Sequence, residues 1–174
     1  MKKIILAFDS FKGCLSAQEA CRAAEEGVKA AAPACETRCL PMSDGGEGLL
    51  DVWLTATRGQ SRQVTVTGPH GQPVSARYGL SPDGRTALIE LAAASGLPLT
   101  PEKYRNPWLT TTYGTGELIR DALDRGCRRL IVGLGGSATN DAGLGMLQAL
   151  GCRIRDASGR EVGRGGQILG QVVS

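Results

Sequence analysis

The chain opens on a short continuous apolar run, residues 3–8 (KIILAF), and comparable runs return at 37–41 (TRCLP) and 130–134 (LIVGL). Such runs are expected of strands buried on both faces of a parallel sheet. Each leads into a loop and then a helical pattern. Ser16-Ala17-Gln18-Glu19 has the form of a capping box, in which the serine oxygen takes an amide of the first turn and the glutamate reaches back. Its helix should run to about residue 32, where Pro33 stops it. A second helix is expected over 47–58, ended by Gly59. A third follows the stripe Leu118, Ile119, Ala122 and Leu123, closed by Gly126. Asn140-Asp141 stands at the opening of a fourth apolar helical stretch.

The texture changes in the middle. Residues 64–67, 74–80 and 86–92 are β-rich, and Gly68-Pro69-His70-Gly71 and Pro82-Asp83-Gly84 separate them with strong turn signals. They read as an antiparallel meander. Residues 96–112, rich in Pro, Asn and Thr, read as a crossing segment. The pattern therefore predicts an α/β protein: a Rossmann-like parallel-sheet domain from 1–61 and 110–151, and part of a second α/β domain holding the meander, from 62–109 and 152–174.

Composition narrows the function classes. The sequence has 174 residues, 41% of them hydrophobic but only 4% aromatic, and 25 glycines, so the core should be aliphatic and the turns glycine-dependent. Net charge is +3, with basic residues scattered, so no nucleic-acid partner is expected. The six cysteines show no CxxC pair and the chain has one histidine, His70, which argues against zinc. The first apolar run is too short for a signal peptide and no stretch is long enough to span a membrane. A reducing cytoplasm with free thiols is the expected setting.

Three loops carry the candidate chemistry. DSFKG (9–13), SDGGEG (43–48) and GLGGSATND (133–141) each follow a short apolar strand and precede a helix. In a doubly wound sheet those strand ends share one edge, where ligands bind. The turn Gly135-Gly136-Ser137, with Thr139, is suited to cradle a phosphate on backbone amides and hydroxyls. Asn140 or Asp141 reads equally as a helix cap or as a ligand. Asp44 is the first choice for a base or metal ligand. Glu47, two glycines away, could share Mg²⁺ with it or simply be an acid favoured by the helix dipole. Lys12 can meet a phosphate or carboxylate as a point charge. Neither a P-loop nor a GxGxxG fingerprint is present, which weighs against a nicotinamide-dependent oxidoreductase.

The motifs DSFKGCLSA (9–17), PMSDGGEG (41–48), AAASGLPL (92–99), TTYGTGELI (111–119) and GLGGSATNDAGLGMLQALG (133–151) resemble, in this order, the bacterial glycerate 2-kinase family. The resemblance implies ATP-dependent phosphorylation of D-glycerate to 2-phosphoglycerate, Mg²⁺, and two α/β domains with the site between them. Carried over by position, it places catalytic roles at Asp44, Lys12 and Asp141. Substrate and phosphate contacts fall at Asp9, Ser10, Glu47, Gly135, Gly136, Ser137, Thr139 and Asn140, and metal binding at Asp44 and Glu47. Cys14, Ser43, Leu49, Ala142 and Leu144 depart from the family's usual residues but remove no charged candidate. Members of that family run well beyond this length. The resemblance thus covers their N-terminal half and implies a truncated fold, with the parallel sheet short of its closing strands. A catalytically incomplete anion- or nucleotide-binding fragment is the alternative reading. The oligomeric state is open, a homodimer included.

Overall fold

The structure, a computed structural model, describes residues 3–173; Met1, Lys2 and Ser174, at the ends of the predicted domain ranges, lie outside them. Among the described residues, six strands form two sheets. The first is a parallel pair, β1 (Lys3–Leu6) beside β2 (Glu36–Cys39), joined by α1 (Ala17–Ala31). Helix α1 starts where its capping box predicts: the Ser16 hydroxyl accepts the Glu19 amide at 3.2 Å and Glu19 Oε2 accepts the Ser16 amide at 2.7 Å. Cys21 and Leu6 are buried where the helix meets the strands, as small and medium apolar residues in a thin core.

The second sheet has the order β3-β4-β5-β6 and carries most of the core. Strands β3 (Gln60–Thr67), β4 (Pro73–Leu80) and β5 (Thr86–Glu90) run antiparallel in sequence, as the meander predicts. Strand β6 (Arg129–Gly133) then pairs parallel to β5, from Thr86 beside Arg129 to Glu90 beside Gly133. This corrects the expectation that the run at 130–134 extends the parallel sheet of the first two strands. Nor is the run buried on both faces, since Ile131 is 40% exposed as β6 forms the sheet's edge; the crossover through α3 (Ala92–Ser95) and α4 (Tyr113–Asp124) delivers it to β5.

Strand alternation divides this sheet's two faces. Tyr78, Ala87 and Ile89 point into a core built with Leu118, Ile119 and Ala122 of α4. Gly79, one residue on, faces α2 (Leu49–Thr57), where an added Cβ would lie 2.8 Å from Leu50 Cδ1 and 2.9 Å from Trp53 Cζ3. Glycine there lets the helix lie close on the strand. The short helix α5 (Leu144–Ala149) packs on α4 through Gly116, whose Cβ would meet the Met146 carbonyl oxygen at 2.5 Å.

Polar ties pin α4 to the sheet. Asp121 accepts from Arg62 Nε at 2.8 Å, the Tyr78 hydroxyl at 2.6 Å and Arg125 Nε at 3.2 Å. Burial works to raise this carboxyl, but the hydrogen bonds from Arg62 and Tyr78 prevail and hold it below the usual aspartate range. A depressed folded value contributes stability that is present above the unfolded pKa of about 3.9 and lost as pH falls through the folded value. Melting temperature should therefore drop steeply on acidification below about pH 4, and Asp121→Asn should flatten that part of the profile. An equally steep drop in the variant would assign the acid sensitivity to other carboxylates.

Candidate functional site

A crevice of about 640 Å³ opens between the two sheets. One wall is the loop after β1 together with the start of α1, from Asp9 to Gln18. The other comprises Glu47 before α2 and Asp51 in its first turn, Ser75 and Arg77 of β4, Glu90 at the end of β5, and Gly136 after β6. Strand β1 of one parallel pair, and β5 and β6 of the other, thus lead from their carboxyl ends into it, the usual address of a ligand in an α/β sheet. Among the described residues its charged lining sets the acids Asp9, Glu47, Asp51 and Glu90 against Lys12 and Arg77.

Each wall has a local cause. The loop after β1 folds into a tight turn in which Phe11 and Leu15 exchange backbone hydrogen bonds of 2.9 and 3.0 Å. Gly13, at φ +72°, adopts without strain the left-handed geometry this turn requires, and it leaves Lys12 exposed at the tip. Among the described residues Lys12 has no ion pair, whereas Arg77 is held by both carboxylate oxygens of Asp51 at 2.8 Å. Lys12 is therefore the cation left for an anionic ligand. Replacing it with methionine should weaken binding of an anion in the crevice about tenfold or more, as a lost charge-assisted contact. Titration calorimetry reads this directly, and an unchanged affinity would remove Lys12 from the site.

The three polar loops do meet, as a chain of contacts rather than along one sheet. Asp9 accepts the Ser10 amide at 2.6 Å and, across the gap, the Asp44 amide at 3.2 Å. The Gly135 amide in turn reaches the Gly45 carbonyl at 3.3 Å. Gly135 and Gly46 pack backbone to backbone, and a Cβ on Gly135 would fall 2.5 Å from Gly46 Cα. Gly133 is equally tight: its Cβ would lie 2.6 Å from the Gly45 carbonyl oxygen. The paired glycines of two motifs are thus explained by the close approach of two loops, and only Gly136 of the turn reaches the crevice.

Of the remaining predicted residues, Asp9, Ser10, Lys12 and Glu47 line the crevice. Asp44 does not; it is exposed at the edge and its Oδ1 accepts the Gly46 amide at 2.9 Å. Ser137 and Thr139 bond each other, hydroxyl to hydroxyl at 2.9 Å, and lie off the lining with the exposed Asn140.

Asp141 is the clearest departure. It is 1% exposed and its two oxygens accept from Thr112 N at 2.8 Å, the Thr112 hydroxyl at 3.0 Å, the Thr111 hydroxyl at 3.2 Å, and the Gly143 and Gly145 amides. In this arrangement its oxygens join the starts of α4 and α5 and do not face the crevice. The helix N-cap is Gly143, not Asn140 or Asp141. Ala142, between them, sits at φ +51°, a left-handed geometry that costs a residue with a Cβ about 1 kcal/mol.

Likewise, α2 begins at Leu49 with Gly48 as N-cap, so Glu47 precedes the helix instead of sitting in its first turn. No group of three or more His, Cys, Asp or Glu side chains placed to hold a metal occurs among the described residues. Glu90 and the Asp51–Arg77 pair escape motif reading, because nothing in their local sequence marks them; for Glu90, register with the glycine-rich turn does.

Residues 4–174 match the glycerate kinase family. The chain belongs to that family. It is 57% identical over 172 residues to the glycerate kinase of Bacillus subtilis strain 168, covering 99% of this chain and 45% of that one. With the glycerate 2-kinase of Escherichia coli K12 it shares 51% over 167 residues, 96% of this chain and 44% of the other. A crystal structure from Salmonella typhimurium LT2, of a protein assigned as glycerate kinase 2, superposes with a TM-score of 0.85 at 51% identity. It is matched over 99% of this chain and 46% of its own. The chain spans less than half the length of these relatives. Among the described residues no helix is long and apolar enough to cross a membrane.

Proposed function

We propose that the crevice serves ATP-dependent phosphorylation of D-glycerate to 2-phosphoglycerate in the cytoplasm. The observation that carries this reading is the meeting of Asp9, Ser10, Lys12 and Glu47 at the carboxyl ends of parallel strands, in a chain of this family. Lys12 offers its cation to the carboxylate or a phosphate, and Ser10 a hydroxyl. Transfer of the γ-phosphoryl group to a glycerate hydroxyl makes the phosphate ester and ADP and releases the hydroxyl proton.

With acids outnumbering cations on its described lining, the crevice is a poor host for a bare nucleotide. The imbalance fits a nucleotide that arrives with Mg²⁺ on its phosphates, one or two carboxylates completing the shell. Glu47 and Asp9 are the residues on the lining that would supply them, with Asp44 at the rim. Bound there, the ion would neutralise charge on the phosphates.

A coupled assay for ADP release with D-glycerate, ATP and Mg²⁺ tests the reading, with Asp9→Asn and Lys12→Met as controls. The short span relative to the family favours one alternative, a chain that binds glycerate or nucleotide without turnover. Calorimetric heat with each ligand and no ADP release would establish that alternative. Neither heat nor ADP release would refute both.

A further inference from the structure

Glu90 ends β5, in register with Gly133, where the glycine-rich turn leaves the sheet. Its half-buried side chain lines the crevice. The neighbours that satisfy it are backbone amides of α2's first turn: Oε1 accepts the Leu50 amide at 2.9 Å and the Gly48 amide adds to this. Among the described residues no cation lies within ion-pair distance; Arg77 acts on it from farther off and is committed to Asp51. Burial, helped by the Asp51 charge, lifts the Glu90 carboxyl above the usual glutamate range against the pull of those amides and Arg77.

Capping α2 does not explain this choice of residue. The amides and the positive end of α2 favour a carboxylate there, yet they do not offset its burial, which leaves its carboxyl raised, and among the described residues no cation is paired with it. What a carboxylate does that few other side chains do is accept only, and strongly, from a hydroxyl.

We propose that Glu90 is a specificity-determining residue, accepting a hydroxyl of the bound acid and so selecting hydroxylated carboxylates over plain ones. This rests on reading the crevice as the glycerate site. Lys12 offers charge to any anion and cannot make that distinction. A pocket built to take a hydroxyl discriminates strongly against an analogue lacking it, because its own polar group is then left unpaired.

The test compares D-glycerate with propionate, a three-carbon acid without hydroxyls, by calorimetry at neutral pH on the 174-residue chain and on Glu90→Gln. Both ligands carry one negative charge, so the ratio of their affinities cancels the change in field that removing a carboxylate brings. The chain should prefer glycerate by about tenfold or more, and the variant by less than about threefold. Propionate itself should bind the variant no worse, which also shows that the crevice is intact. The amide oxygen introduced by Glu90→Gln keeps an acceptor for the Leu50 amide. A second measurement needs no variant: the ¹³C resonance of the Glu90 carboxyl should move on adding glycerate and stay still with propionate.

A ratio unchanged by Glu90→Gln, or a resonance that responds alike to both acids, overturns the assignment of Glu90 and leaves the glycerate reading standing. Absence of any binding by the unaltered chain overturns both.

Discussion

Asp141→Ala is expected to lower folding stability by about 3 kcal/mol, because it strands buried donors at once. The Thr111 and Thr112 hydroxyls and the amides of Thr112, Gly143 and Gly145 all give their protons to this carboxylate. A water entering the space left in a site that is 1% exposed has two lone pairs and satisfies only some of these donors. With a urea m-value of about 2 kcal/mol per M, the midpoint should move down by about 1.5 M. Asp141→Asn should recover only part of this, since its amide nitrogen would face donors. The comparison that matters is with Asp9→Asn, at the crevice: ligand binding should fall there with little change in midpoint. An Asp141→Ala chain of normal stability that fails only in ligand binding would return Asp141 to the site.

The second large effect is a pair of identical substitutions with opposite outcomes. Gly114 sits in the first turn of α4, where an added Cβ would land on the Thr67 carbonyl oxygen, with the Thr67 carbonyl carbon 2.9 Å away. The clash is with backbone, so helix or strand must move. Gly114→Ala should therefore cost about 3 kcal/mol or more, at the upper end for overpacking. Gly27 lies inside α1, exposed, with nothing within 4 Å of the same added atom. Gly27→Ala should raise stability by up to about 1 kcal/mol through helix propensity alone. Thermal melts of the two variants decide it. A Gly114→Ala chain as stable as the unaltered one would mean that the α4–β3 approach is looser than the geometry describes.

How far the sequence reaches depends on whether the information is local. Ser16 and Glu19 set the start of α1 to the residue, since a capping box is closed within four positions. The glycine-bearing turns of the meander are equally legible, and β3 to β5 follow them. The partner of β6 is not, because a short apolar run does not record which strand it joins, nor that it ends as an edge with Ile131 40% exposed. Helix α3 escapes notice as four small residues between a strand and Gly96.

For the site, Asp9, Ser10, Lys12 and Glu47 can be grouped from sequence because each lies near a strand's carboxyl end, and all four line the crevice. The glycine-rich turn, read in the sequence as a phosphate cradle, also meets a packing demand. Spacing cannot distinguish glycines that admit a ligand from those that admit another loop, and Gly133 and Gly135 admit Gly45 and Gly46. Asp141 is opaque for a related reason. A helix-opening acid looks the same in sequence whether its donors come from a ligand or from Thr111 and Thr112.

The two ways in which the second sheet is joined differ greatly in chain length. Strands β3 and β4 are linked by the short turn at Gly68–Gln72, which closes with a 2.6 Å bond from the Gly68 amide. Strand β6 reaches β5 only after everything from Leu91 to Arg128 has been placed. Hairpins form within about 10 μs, whereas distant parallel pairing must first meet its loop-closure entropy and is slow. In a refolding chain the meander should thus come early and β6 late. Gly136 and the Gly135–Gly45 contact, which depend on β6, would be the last parts of the crevice wall to arrive. The ability to hold a ligand would then appear in the slowest folding phase, well after most of the secondary structure has formed.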